Sequence, residues 1–138
     1  MSDSKRVVIV PCSGIGKTYG TVAREGAHIV TEDLCPKSTR LVPLALVVLG
    51  EKEVREALGA SPAITIDGCK LACAAKVVAD SGGTVARALQ VLDVYRRNRH
   101  LKPAGIAELN EAGHELASVL AEEVSDLADR VAAEEENA

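Results

Sequence analysis

The chain contains no tryptophan, no phenylalanine and only two tyrosines among its 138 residues. Its core must therefore be built from Val, Leu, Ile and Ala. It also lacks the aromatic platforms on which single-stranded nucleic acid stacks. Strong charge of either sign is absent as well. A formal net charge of −4 gives no global attraction to nucleic acid or to an anionic membrane, so neither is expected as a partner. No segment reaches the roughly 18 apolar residues of a membrane span, and the run from Leu41 to Leu49 is both short and interrupted by Pro43. The opening residues Met1 to Arg6 run straight into an apolar strand pattern, without the hydrophobic region and cleavage site of a signal peptide. A cytoplasmic location is the expectation. There, four cysteines read as thiols or metal ligands rather than as disulfides.

What is present is an alternation of short apolar runs with helical patterns, the signature of βα units and a mostly parallel sheet. The run Arg6 to Val10 is β-branched enough to be buried on both faces. Further strands are expected at Thr39 to Val42, at Pro62 to Ile66, and within Arg87 to Tyr95. Helices are expected at about 17–33, 51–58 and 70–79, with 43–50 ambiguous between strand, loop and buried turn. A long last helix is expected from about Pro103 to Ala133 or Glu134, with Ile106, Leu109, Leu116, Leu120, Leu127 and Val131 at helical spacings. At about 1.5 Å per residue it forms a rod of roughly 45 Å, longer than such strands can cover. Its distal half is expected to protrude or to form a homodimer contact. The fold class is thus α/β: one open sheet of about four strands flanked by helices. A single domain spans 1–138, with its core at about 5–100.

Three cysteines fall at one edge of that sheet. Cys12 comes two residues after the first apolar run, before the Gly-rich turn Ser13-Gly14-Ile15-Gly16. Cys69 comes three residues after Ile66, again between a strand and a helix. Both turns lie at the carboxyl edge, where open α/β sheets place their sites. Cys73 follows Cys69 by four residues, so within a helix the two sulfurs would share a face. Helix N-termini and the neighbouring Lys17 and Lys70 favour thiolate over thiol. Thiolates bind soft or borderline metals and also attack disulfides. A helix from Lys17 to Asp33 would carry Cys35 roughly 25 Å back toward the opposite edge, outside this cluster. A single buried cysteine is usually a small hydrophobe; three at strand-to-helix turns are read as a site.

These residues resemble the DGC-domain family, whose members are described as zinc-binding. The resemblance rests on Asp67-Gly68-Cys69 with the strand Ala63-Ile64-Thr65-Ile66 before it and Cys73-Ala74-Ala75-Lys76 after it. It also rests on Pro11-Cys12-Ser13-Gly14-Ile15-Gly16-Lys17, and it runs from about Val7 to Tyr95. It implies that Cys12, Cys69 and Cys73 fall on the family's cysteine positions. The chain departs from the family near Pro43, where many members carry a further cysteine; Cys35 lies some eight residues earlier. Three thiolates would then take an exogenous or non-cysteine fourth ligand, or hold an iron–sulfur cluster with one open iron.

Two motif matches fail on a single residue. Residues 11–18 mimic a phosphate-binding loop ending in Gly16-Lys17-Thr18, but Pro11 stands where that loop requires glycine and a backbone N–H. A cysteine phosphatase loop needs Arg six residues after Cys12, where the chain has Thr18. His28, His100 and His114 have no partner spacing. The basic run Arg96 to His100 reads as a solvated strand end or a docking surface for an anion. The expected function is metal binding through Cys12, Cys69 and Cys73, zinc first and iron–sulfur second. The alternative is thiol–disulfide or persulfide chemistry on the same cysteines. Nothing identifies the chain as an enzyme; it could equally deliver metal or sulfur to a protein partner.

Overall fold

Four short strands form the sheet that the alternating pattern calls for. The computed structural model describes residues 6–12, 17–68 and 72–137. β1 (Val7–Pro11), β2 (Thr39–Leu41), β3 (Ala63–Asp67) and β4 (Val85–Gln90) all run parallel, in the order β2-β1-β3-β4. Val7 stands beside Thr39, and Val8 beside Ala63. A bulge between Ala63 and Ile64 adjusts β3 to β4. The two central strands are buried along their whole length, which is why they read as unbroken apolar runs instead of alternating ones.

The connection from β1 to β2 runs one way along the sheet, and those from β2 to β3 and from β3 to β4 run the other way. Right-handed crossovers therefore place the connecting helices on opposite faces. α1 (Thr18–His28) covers one face, and its last turns widen into a π-helical segment, Ile29–Leu34. α2 (Leu44–Leu49), α3 (Lys52–Ala60) and α4 (Cys73–Asp80) belong to the other. The ambiguous stretch after Pro43 is thus a helix, closed by Gly50 in the left-handed conformation at φ 70°. β4 begins two residues before the expected window, whose second half forms a separate helix, α5 (Val91–Arg96). α5 and the last helix, α6 (Glu111–Glu136), pack on the α1 face.

α6 corrects the sequence reading in two ways. It begins at Glu111 and not at Pro103, because Asn110 caps it: the Asn110 Oδ1 accepts the Gly113 N–H at 2.8 Å. Ile106, placed on the helical stripe by spacing, sits in the preceding loop and is 54% exposed. The helix is also not left hanging. Leu116, Leu120, Val124, Ala128 and Val131 are all buried within the same chain. Arg87 on the outer strand pairs with Glu134 at 2.8 Å, so the last turns of the helix lie along the sheet edge. Close approach makes this packing work. A Cβ on Gly26 of α1 would stand 2.8 Å from the Leu120 Cδ2 and 3.3 Å from the Ala117 carbonyl oxygen, so a side chain there would have to push the Leu120 side chain aside.

Candidate functional site

The strand order reverses at β1, between β2 on one side and β3 on the other. Crevices at such a switch point, beyond the carboxyl ends of the strands, are where open α/β sheets hold ligands. Cys12 and the Asp67-Gly68 turn occupy this crevice. Cys12 follows β1 directly and is 7% exposed. Its backbone N–H continues the sheet by donating to the Ile66 carbonyl at 2.8 Å. Its sulfur accepts the Gly68 N–H at 3.2 Å. A hydrogen bond donated to sulfur stabilises the thiolate over the thiol, so the turn that leads into Cys69 is already engaged with Cys12.

The Asp-Gly pair has a physical reason at each position. A Cβ on Gly68 would stand 3.0 Å from the Gly20 nitrogen and 3.1 Å from the Tyr19 carbonyl carbon. The first turn of α1 presses against this turn with backbone atoms, and any side chain would push the two apart. Asp67 is 2% exposed and its carboxylate reaches forward to the start of α4. It accepts the Ala74 N–H at 2.8 Å and the Ala75 N–H at 3.3 Å. These are among the N–H groups that a helix start leaves unsatisfied. Burial raises the Asp67 pKa above its ordinary value, and the two backbone N–H bonds and Lys76 oppose that rise without cancelling it.

Cys73 is the first residue of α4 and is exposed. This changes the helix-face argument made from the Cys69–Cys73 spacing. α4 starts at Cys73, with Ala72 before it in the left-handed region at φ 52°, so the helix that the spacing argument needs does not extend back past Cys73. Such a conformation is costly for a residue with a Cβ, and it turns the chain sharply into the helix. The α4 N–H groups of Ala74 and Ala75, expected to favour thiolate, are taken up by Asp67 instead. Cys69 and Lys70 lie outside the described residues, as does the Gly-rich turn 13–16. Among the described residues no three His, Cys, Asp or Glu side chains converge as a metal site.

Cys35 is placed as its spacing from Cys12 indicates. It follows the π-helical segment and precedes β2, at the amino edge of the sheet, whereas Cys12 is at the carboxyl edge. Its sulfur lies 2.9 Å from the Ser125 Oγ of α6, and it is 8% exposed. Of the basic run, Arg96 pairs with Asp93 and Arg97 with Glu123, so half of it is spent on the chain's own carboxylates. His114 pairs with Glu25 at 2.6 Å, a structural contact between α6 and α1.

A cleft of about 430 Å³ opens beside Cys12, bounded by Gly68, by Lys17, Thr18 and Tyr19 at the start of α1, and by Pro103. Tyr19 and Pro103 carry no signal for this role in the sequence. Pro103 in particular reads as a helix start. It reaches the cleft because the loop before α6 folds back over α1, where the Thr21 Oγ1 donates to the Ile106 carbonyl at 2.6 Å.

Thiolates are ligands for thiophilic metals. Of the three expected cysteines, Cys12 follows β1 and lines the cleft, Cys73 begins α4, and Cys69 follows Gly68 in the sequence. Searches of curated proteins and of solved structures return no significant match. The family model described as the DGC domain matches residues 8–112. That span holds the reversal point of the sheet, all the cysteines and the cleft, and the chain belongs to the DGC-domain family.

Proposed function

We propose that the chain is a metal-binding protein that holds zinc through the thiolates of Cys12, Cys69 and Cys73, with an iron–sulfur cluster as the second choice of cargo. The observation that carries this reading is the Gly68 N–H bond to the Cys12 sulfur, which joins the first cysteine to the turn bearing the second. Zinc prefers four ligands, commonly thiolates in closed structural sites. Three cysteines leave the fourth position to water, a small molecule or a partner's side chain. When bound, zinc would supply Lewis acidity at that position. The protein's own residues do the positioning: Gly68 lets the turn approach α1, and Asp67 anchors the helix that begins at Cys73.

Thiol or persulfide chemistry is the second reading, favoured by the cleft that opens on Cys12. Both readings fit a reducing compartment such as the cytoplasm, and both leave room for a protein partner that receives metal or sulfur. Elemental analysis and visible absorbance of anaerobically purified protein separate them. The metal reading expects near-stoichiometric zinc, or iron with sulfide, lost in Cys12→Ser and Cys69→Ser and kept in Cys35→Ser. Metal-free wild type that cannot be reconstituted, but forms a reversible disulfide involving Cys12, sinks the metal reading and supports the second.

A further inference from the structure

The cleft beside Cys12 has a definite chemical character. Cys12 and Gly68, both buried, form its floor. Tyr19 supplies an aromatic wall, held by the Tyr95 ring at a centroid distance of 6.1 Å. Pro103 supplies a second rigid apolar surface. Among the described residues Lys17 is the one charged residue on the lining, and none of their carboxylates pairs with it. Lys102, adjacent to Pro103, likewise has no ion-pair partner among the described residues. The first turn of α1 carries no acidic residue and has no side-chain cap. A positive charge and two apolar surfaces thus face a buried thiol.

From these features we infer that the cleft binds a small organic anion, a carboxylate or phosphate monoester with a short apolar part, seated between Tyr19 and Pro103 with its charge on Lys17. Among the described residues the lining offers no carboxylate to a cationic organic ligand. The outer wall is firmly placed. The Thr21 hydroxyl holds the Ile106 carbonyl. The Asn110 side chain accepts the Ala104 N–H at 3.0 Å and donates to the Lys102 carbonyl at 3.3 Å. That such a ligand meets a reactive centre rests on the thiolate reading above; the anion site itself rests on the cleft. The rival role for Lys17 is to offset thiolate charge alone.

Isothermal titration of the full chain as purified separates these roles, using sodium pentanoate, methyl phosphate and, as a neutral control, 1-pentanol. Zinc content is measured on the same samples. At least one anion should bind, with pentanol weaker by about ten-fold or more. Lys17→Gln should weaken the anion about five-fold, the scale of one exposed charge pair, with melting temperature unchanged, and Lys17→Arg should restore it. A response to pentanoate but not methyl phosphate assigns a carboxylate, and the reverse a phosphate. Absence of binding by both anions, equal binding of pentanol, or Lys17→Gln altering zinc content while anion affinity stays at the wild-type value would overturn the proposal. Anion binding by metal-free wild type that is lost in Lys17→Gln upholds the site and counts only against the metal reading.

Discussion

Substituting Gly68 by alanine tests the account of the crevice at its tightest point. The φ of Gly68 is outside the left-handed region, so alanine meets no conformational penalty there and the cost is one of space. The new methyl would lie 3.0 Å from the Gly20 nitrogen, 3.1 Å from the Tyr19 carbonyl carbon and 3.4 Å from the Gly20 Cα. All three are backbone atoms of a helix packed on the sheet, so no side chain can swing aside. Relief requires α1 or the turn to shift by a few tenths of an ångström, which loosens the Gly68 N–H bond to Cys12. Overpacking of this kind costs about 1–3 kcal/mol. Taking about 2 kcal/mol and about 4 °C per kcal/mol for a chain of this size, the melting temperature falls by about 8 °C. Urea denaturation of metal-free protein measures the difference directly. Gly59→Ala is the control: it lies within α3 with nothing inside 4 Å of its would-be Cβ, and should gain about 0.5 kcal/mol. A Gly68→Ala variant within about 0.5 kcal/mol of wild type would refute the close-approach argument.

Two further outcomes follow from the polar contacts. Asp67→Ala strips the partner from the Ala74 and Ala75 N–H groups and should cost about 1–3 kcal/mol in urea denaturation; Asp67→Asn, which keeps an acceptor without a buried charge, should lose clearly less, and equal losses would contradict the capping role. The hydrogen bond to Glu25 raises the His114 pKa above 6.5. Protonated His114 is therefore favoured in the folded state, so its contribution is complete below the unfolded pKa and is lost as pH rises through the folded one. Wild type should lose stability relative to His114→Gln as pH is raised from below 6.5 toward 8 in thermal melts, and parallel pH profiles for the two proteins would argue against it.

The sheet was legible because its signals are local. Val7 to Val10 and Ala63 to Ile66 are dense in β-branched residues, and each is followed by turn residues. The convergence of Cys12 with the Asp67-Gly68 turn was legible too, since parallel strands put both turns at one edge. The start of α4 was not. Its cap comes from Asp67, seven residues upstream of Ala74, and no sequence window ties the two together. Residues 103–110 misled for the opposite reason. Proline at the start and Ile106 and Leu109 at helical spacing imitate a first turn, while the operative signal is Asn110 with Gly113 three residues later. The cleft was illegible because Pro103 and Lys17 are brought together only by the fold of that loop over α1.

Asn110 has a consequence that reaches beyond its own helix. One amide oxygen receives both the Gly113 N–H inside α6 and the Ala104 N–H in the loop, so the helix start and the outer wall of the cleft share a fastening. The family match ends at residue 112, two residues into α6. The body of that helix therefore lies outside the family's common part, yet through one side chain it braces the entrance that Pro103 guards. Relatives with a different ending after this point would keep the thiols and still present a differently shaped mouth.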